Sequence, residues 1–423
     1  MERSIGLDPE KGIRKQTRNW MLFDFANSLL YTNVILYFPQ WLTIEMGISD
    51  LNYNILLTIT TILLLITSPL LGIWADKKGK RVWFLKVTSI IMIFGTLLIP
   101  IVALLGSSKM MIIGMSILGF CLLNYSYQLS LLFYDAMLGD LVHPEKYLRI
   151  SGLGLASGWL GAIIGILAVY PIAQGSIAGI SGRILALLGA SILFILIGAY
   201  PLFKMKEITS YKIHNYSTNT NIFKHLWNDL RSLRQHPTIL LFLTSYWLYI
   251  DAILTFENNL TIYLERVYAT PDTMKALVAI LIIVGGIIGA TLTAFFIKHE
   301  KSHKTLLITL ILSSFGFIAL SLAPTFSIFL VILFGMALLF GSILAVSRGI
   351  YTTFVPEGQR NEYFGFFSIA ERSASIIGPL VWGGVIAIFV SLNVFRYNLA
   401  LMAMGIIMAL SIIPLMKMRN HVD

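Results

Sequence analysis

The stretch LLLITSPLLGIWADKKGKR, residues 63–81, joins an apolar run to a strongly basic turn. Its first thirteen residues carry no charge, whereas its last six carry four bases and Asp76. Basic residues that flank a membrane span are retained on the cytoplasmic side. This stretch therefore predicts a transmembrane helix that ends at the cytoplasmic surface.

Apolar runs of this kind recur along the whole chain. The sequence is 57% hydrophobic and 12% charged, whereas soluble domains are about one quarter charged. Runs of about 18 to 25 residues can cross a hydrocarbon core of about 30 Å. We predict an all-α membrane protein with twelve transmembrane helices. The predicted spans are residues 20–41, 54–75, 82–105, 109–135, 150–171, 183–203, 238–260, 273–297, 304–323, 326–348, 362–389 and 395–416.

The net charge of +10 is distributed asymmetrically between the connections. With twelve spans, 25 of the 31 lysines and arginines fall on the side of the two termini and five on the other. This skew predicts a multi-pass protein of the plasma membrane with both termini in the cytoplasm. The bases then orient the chain, and we expect no binding to nucleic acid. We also expect no cleaved signal peptide, since no small-residue cleavage site follows the first apolar run.

A long polar connection, residues 204–237, follows the sixth predicted span. It predicts two pseudo-symmetric six-helix bundles, residues 20–203 and 238–416, between an N-terminal segment (1–19) and a tail (417–423). Apolar residues at helical spacing within 222–233 indicate either an amphipathic helix on the membrane surface or a solvated linker.

The two halves contain similar segments. Residues 141–165 align with residues 354–378 at a constant offset, which pairs Gly152 with Gly365 and superimposes the two terminal IIG triplets. The same offset places Asp135 opposite Arg348. Internal repeats in a membrane protein of this size are typical of secondary transporters.

The connection GIWADKKGKR, residues 72–81, is similar to the signature loop of the major facilitator superfamily. Gly72 predicts close helix approach, and the acid four residues later can cap or pair with a neighbouring helix end. The resemblance implies that this loop latches the two halves in one conformation. The predicted latch residues are Gly72, Asp76, Gly79, Lys80 and Arg81.

Three further stretches resemble one particular branch of this superfamily. Residues 18–42 with the motif DFANS, residues 131–161, and residues 347–383 with EYFGFFS resemble the branch that includes the fungal vacuolar amino-acid effluxer linked to autophagy. The resemblance implies the major facilitator fold and efflux of small metabolites, amino acids first among them. The chain departs from this branch at Asp251, which precedes Ala252 instead of the glycine often found there.

Polar residues fall on single helix faces in the first, fourth, seventh and tenth spans, the four that line the central cavity in major facilitator proteins. In the first span, for example, Asp24, Asn27 and Tyr31 lie at spacings of three and four residues. Glu257 lies about 100° away from the Asp251 face. The predicted cavity residues in these four spans are Asp24, Asn27, Tyr31, Asn124, Tyr127, Gln128, Tyr134, Asp135, Asp251, Glu257, Asn258 and Arg348.

The eleventh span contains an adjacent acid and base, Glu371 and Arg372. In one continuous helix they share a stripe with Ser368 and Ser375, so they need not face lipid, where a charge costs about 3 kcal/mol or more. Each is expected to find a partner on another helix, with Asp24 or Asp251 as candidates for Arg372. A cavity role and a structural ion pair both remain open.

Glycines four residues apart occur in the fifth and eighth spans, as in Gly154 and Gly158, Gly161 and Gly165, and Gly285 and Gly289. Such spacing lets helices approach closely. The resemblance makes the fifth and eighth helices neighbours across the two halves. Their smooth faces would then either slide during transport or pack statically.

The sequence contains no Walker loop, no His-Glu-x-x-His and no Gly-x-Ser-x-Gly. We therefore predict no catalytic residue, no metal and no cofactor. The leading hypothesis is a monomeric secondary transporter that exports a small polar metabolite by alternating access, with protons as candidate coupling ions. The alternatives are uptake, export of a cationic compound such as a drug or siderophore, and, from another class, a membrane enzyme or lipid-handling scaffold.

Overall fold

The computed structural model describes residues 9–106, 108–141, 147–177, 179–207, 236–296, 302–354 and 360–419. These residues are almost entirely helical. The helices are α1 (Pro9–Gln40), α2 (Asp50–Lys78), α3 (Arg81–Leu104), α4 (Lys109–Leu141), α5 (Tyr147–Ala173), α6 (Gly182–Lys204), α7 (Pro237–Tyr268), α8 (Asp272–Phe296), α9 (Ser302–Ser321), α10 (Phe326–Phe354), α11 (Arg360–Ser373), α12 (Ile377–Ile388), α13 (Phe395–Leu410) and α14 (Ile412–Arg419). Three further elements are a π-helical turn (Trp41–Glu45) that extends α1, a hairpin of β1 (Ser176–Ile177) and β2 (Ile180–Ser181), and a 3-10 turn (Val390–Leu392).

Local sequence accounts for several helix ends. Gly79 takes a positive φ of 58°, and α2 stops there, because glycine adopts this backbone conformation without steric cost. Pro237 occupies the first turn of α7, where a missing N–H is harmless. The Ser181 side chain accepts a hydrogen bond from the N–H of Arg183 at 3.3 Å and caps α6.

Ten helices of the described residues are long and apolar enough to cross a membrane. The predicted first and eleventh spans are not among them. α1 has the length, but Asp24, Asn27 and Asn33 interrupt its apolar stretch. The eleventh span is divided into α11 and α12 by residues 374–376, so the expectation of one continuous helix there is wrong.

The chain divides into two compact units, residues Met1–Val34 with Leu70–Thr218 and residues Ile35–Pro69 with Asn219–Asp423. In the first unit, the glycines of α5 pack on α1. A Cβ at Gly158 would lie 2.8 Å from Oδ2 of Asp24, one at Gly165 would lie 2.8 Å from the Leu29 carbonyl oxygen, and one at Gly161 would collide with the Phe25 backbone.

In the second unit, α8 packs on α10 through glycines in the same way. A Cβ at Gly289 would collide with the Leu338 carbonyl, and one at Gly285 would lie 2.6 Å from the Cβ of Ala337. Each of these glycine faces is closed against a helix of its own unit. Sliding during transport and static packing both stay predictions.

Residues 35–69 belong to the second unit, although they come from the first two helices in the sequence. The two bundles with boundaries at residues 203 and 238 therefore stay a prediction. The predicted amphipathic helix within 222–233 lies outside the described residues.

Candidate functional site

Two aromatic pairs join α1 to α4 in the first unit. The rings of Trp20 and Tyr134 stack at 4.2 Å, and Nε1 of Trp20 donates a hydrogen bond to the Tyr134 carbonyl at 2.9 Å. The rings of Tyr31 and Tyr127 stack at 3.4 Å, and the Tyr31 hydroxyl donates to Oδ1 of Asn124 at 2.7 Å. Four of the predicted site residues, Tyr31, Asn124, Tyr127 and Tyr134, thus lie together at one helix interface.

Between these two pairs, α1 carries Asp24 and Asn27. Asp24 is half-buried and lies beside the hydroxyl of Ser28 in a notch that Gly158 leaves open on α5. Asn27 is completely buried, and neither atom of its side-chain amide has a hydrogen-bond partner among the described residues. A buried amide without partners is costly. Asn27 is thus packed inside the unit instead of facing an open space.

The other two predicted residues of α4, Gln128 and Asp135, directly follow Tyr127 and Tyr134 in the sequence. Gln128 and Asp135 are both half-buried. Arg81 reaches the same region, where its Nη1 donates to the Ala136 carbonyl at 2.9 Å. One latch residue is therefore in contact with α4.

The remaining predicted latch residues lie in different surroundings. A Cβ at Gly72 would only touch Leu132, at 4.0 Å, so the expectation that close helix approach requires this glycine is wrong. Gly79 ends α2, and Lys80 is exposed before α3. The side chain of Asp76 lies outside the described part of the chain. The latch function stays a prediction.

The N-terminus of α3 has a partner that the sequence did not suggest. The carboxylate of Glu207 accepts hydrogen bonds from the N–H groups of Val82 at 3.0 Å and Trp83 at 2.8 Å. These are two of the donors that a helix leaves without intrahelical acceptors. Glu207 lies 125 residues after Val82, so no local sequence signal identifies it.

In the second unit, a polar cluster forms where α7, α10 and α11 meet. The hydroxyls of Tyr249 and Ser347 are hydrogen-bonded at 2.6 Å. Arg348, Glu371 and Arg372 all lie within electrostatic range of Tyr246, whose ring also packs on Phe367 at 4.2 Å. Three of the charged residues predicted from the sequence thus interact electrostatically with the same tyrosine.

The break between α11 and α12 is held by Asp251 of α7. Its Oδ1 accepts from the N–H of Ser375 at 2.8 Å, and its Oδ2 accepts from the N–H of Gly378 at 2.6 Å. Ser375 has a φ of +104°, which is unusual for a residue other than glycine. The completely buried carboxylate therefore acts as the cap of α12.

This arrangement corrects two expectations. Ser375 does not continue the stripe of Ser368, Glu371 and Arg372, because the helix ends at Ser373. Asp251 engages backbone N–H groups with both carboxylate oxygens, instead of serving mainly as the partner of Arg372. The sequence signal for the helix break was the pair Gly378 and Pro379. A proline in the first turn and a preceding glycine are compatible with a new helix N-terminus.

Glu257 and Asn258 lie further along α7. Asn258 is buried, and its carbonyl accepts a hydrogen bond from the Tyr53 hydroxyl at 3.2 Å. Glu257 is half-buried. Its carboxylate makes no hydrogen bond or ion pair with any other residue that the structure describes.

A second group of polar contacts joins residues 40–58 to the C-terminal helices within the second unit. Asn54 and Asn259 exchange two side-chain hydrogen bonds of 2.9 Å. The Tyr397 hydroxyl donates to Oδ2 of Asp50 at 2.8 Å, and Nη2 of Arg266 donates to the Thr43 carbonyl at 3.3 Å. These contacts lie on the predicted outer side, and the sequence indicated none of them.

The same region contains a buried lysine, Lys275, which is 1% exposed. Its ammonium pairs with Glu265 and, at 3.0 Å, with Asp272, and donates to Oε1 of Gln40 at 2.6 Å. Two acids offset the desolvation of this buried cation. The cluster also fixes the C-terminal end of α1.

Charged side chains inside membrane-spanning helices usually mark the path of a substrate or an ion, as in membrane transporters. The family described as "Vacuole effluxer Atg22 like" matches residues 53–422, and the chain belongs to this family. The resemblance inferred from the sequence is thus confirmed.

Relatives and solved structures agree with this assignment. An uncharacterized MFS-type transporter of Bacillus subtilis, YxiO, is 27% identical over 398 residues, or 88% of each chain. Autophagy-related protein 22 of Saccharomyces cerevisiae is 26% identical over 171 residues, which are 37% of this chain and 32% of that protein.

Two crystal structures share the fold at low sequence identity. One is a bacterial homolog of the human lysosomal transporter Spinster, with a TM-score of 0.71, 14% identity and 98% coverage of each chain. The other is a mutant of the nucleoside transporter NupG, with a TM-score of 0.74, 12% identity, and 95% of this chain and 99% of that one covered. The predicted major facilitator fold is confirmed, and these relatives and neighbours are transporters, not enzymes.

Proposed function

We propose that this protein exports a small polar metabolite, an amino acid or a related compound, across the plasma membrane by alternating access. The observation that carries the proposal is the cluster of Arg348, Glu371 and Arg372 around Tyr246. Charges at membrane depth are costly and usually mark a substrate or ion path. The family's description as an effluxer supports the direction.

The cluster suits a solute with a carboxylate. A guanidinium presents a planar fork of donors that matches a carboxylate in two hydrogen bonds, which a lysine ammonium cannot do. Tyr249 and Ser347, hydrogen-bonded to each other beside the cluster, offer further polar contacts. We assign the carboxylate of the solute to this part of the second unit.

Protons are the proposed coupling ions. Asp251 is committed to the cap of α12, which leaves Asp24, Asp135, Glu257 and Glu371 as the candidate carriers. Both termini are proposed to be cytoplasmic, because the basic residues concentrate on their side. The protein is proposed to act as a monomer.

The test is counterflow of radiolabelled amino acids into liposomes that contain the purified full-length protein. The wild type should exchange at least one amino acid, and Arg372→Lys should weaken binding strongly although the charge is kept. Glu371→Gln should leave counterflow running and remove the response to a pH gradient if this residue carries the proton. Lys206→Ala, an exposed change outside the spans, is the control.

Two outcomes would contradict the proposal. One is a folded wild-type protein that exchanges no amino acid. The other is an Arg372→Lys variant with unchanged affinity for every exchanged amino acid, which would place the carboxylate elsewhere. Inside-out and right-side-out vesicles then separate export from uptake.

A further inference from the structure

We propose that Glu257 binds a cationic amino group of the transported solute, an inference that rests on the transport function proposed above. The evidence is the position of this carboxylate on α7, its lack of a built-in counter-charge, and its separation from the arginine cluster. Each of these observations narrows the kind of ligand that the site can take.

The position of Glu257 points its carboxylate into the protein. Tyr246, Ile253 and Leu264 occupy the same face of α7, at spacings of four to eleven residues, and are 1%, 3% and 0% exposed. The exposed residues Leu240 and Thr244 lie about 100° or more around the helix. Glu257 therefore lies on the buried face of α7, away from its exposed face.

The lack of a counter-charge separates Glu257 from other acids of the second unit. Glu265 and Asp272 neutralise Lys275, Asp50 accepts from Tyr397, and Asp251 accepts two backbone N–H groups. Glu257 makes no such contact with the described residues. An ionised carboxylate in these surroundings needs a cation, and its half-exposed surface leaves room for one to arrive from outside.

An amino group fits this site chemically. An ammonium donates up to three charge-assisted hydrogen bonds to carboxylate oxygens. The apolar residues Ile253 and Leu260 lie about one turn away on α7 and suit the carbon skeleton of an aliphatic amine. The site therefore selects a primary ammonium attached to an apolar chain.

Distance makes this recognition independent of the arginine cluster. Tyr246, where the arginines gather, precedes Glu257 by eleven residues, or about 16 Å along the helix axis. A simple amine without a carboxylate should therefore bind on its own.

The experiment uses three matched probes on the purified full-length protein: isopentylamine, L-leucine and 4-methylpentanoate. Affinity is measured by titration calorimetry for the wild type, Glu257→Gln and Glu257→Asp, with melting temperatures as a folding check. Glu207→Gln, which removes an exposed carboxylate outside the spans, is the matched control.

Glu257→Gln should weaken isopentylamine binding by about 10- to 100-fold, the loss expected for a hydrogen bond to a charged group. The affinity of Glu257→Asp for isopentylamine should fall between those of the wild type and Glu257→Gln. Glu207→Gln should change this affinity less than about twofold, within ordinary mutational scatter. The affinity for 4-methylpentanoate should be equal in the wild type and in Glu257→Gln.

Unchanged isopentylamine affinity in a folded Glu257→Gln variant would overturn the inference. So would a wild type that binds neither isopentylamine nor leucine. If Glu257→Gln keeps amine affinity but loses the response of uptake to a pH gradient, the cation at this site is a proton and the ammonium assignment is wrong. Amine binding that depends on Glu257, without counterflow of any amino acid, would reject the proposed function and retain this inference.

Discussion

Gly378 leaves room for two side chains of α7 at the start of α12. A Cβ at this position would collide with Oγ1 of Thr255 and lie 2.9 Å from Oδ1 of Asp251. We expect Gly378→Ala to lower the free energy of unfolding by about 1 to 3 kcal/mol, the usual effect of overpacking. Thermal denaturation in detergent measures this change.

Gly384 on the same helix is the matched control. Nothing lies within 4 Å of a Cβ built there. Gly384→Ala should therefore leave the melting temperature unchanged or raise it slightly, since alanine favours the helix. Equal destabilisation by both alanines would show that α12 does not depend on the close approach at Gly378.

The side chain of Asp251 satisfies two backbone donors at the helix break. Asp251→Ala strands both, and we expect a loss of about 1 to 3 kcal/mol for each buried donor. Asp251→Asn keeps one acceptor and should lose less. If alanine and asparagine gave the same stability as the wild type in thermal melts, the carboxylate would not be holding α12.

At the scale of one element, α3 depends on a residue outside itself. Glu207 accepts hydrogen bonds from the second and third residues of this helix. Glu207→Ala should destabilise the protein by about 0.5 to 2 kcal/mol, in the lower part of that range because the side chain is exposed. Lys206→Ala, one residue away, should have no effect, since Lys206 contributes only its backbone N–H to Gln16. If the two variants had the same melting curve, Glu207 would not be the cap of α3.

Helices were the elements that the sequence predicted best. The apolar runs located the ten candidate spans because length and hydropathy are properties of consecutive residues. The prediction of one continuous eleventh helix was wrong because the apolar sequence continues across residues 374–376. The break in the helix depends on the carboxylate of Asp251, which is distant in sequence. Only Gly378 and Pro379 indicated this break in the local sequence.

The candidate site shows the same limit. Helical spacing correctly grouped residues on one face, and Tyr31, Asn124 and Tyr127 do meet. Spacing could not predict which helices pack together. The pairs Asn54–Asn259 and Lys275–Gln40, each separated by more than 200 residues, therefore escaped prediction.

For the whole molecule, the distribution of bases predicts which loops face the cytoplasm. Cys121 is the single cysteine, so Cys121→Ser provides a background for labelling. In that background, Lys206→Cys should react with an impermeant maleimide only from the inside, and Ser176→Cys only from the outside. Both positions are exposed. Labelling of Lys206→Cys from outside in intact cells would reverse the orientation.

The exchanged amides of Asn54 and Asn259 carry no net charge and cannot titrate. Their attraction is therefore indifferent to dissolved ions, whereas exposed ion pairs weaken over a screening length of about 10 Å at 0.1 M salt. On the predicted outer side this matters, because a cell does not control the salinity of its surroundings. The pair should therefore stabilise the second unit equally well in dilute and in saline media. A chain carrying Asn54→Asp with Asn259→Lys would instead make this part of its stability depend on ionic strength.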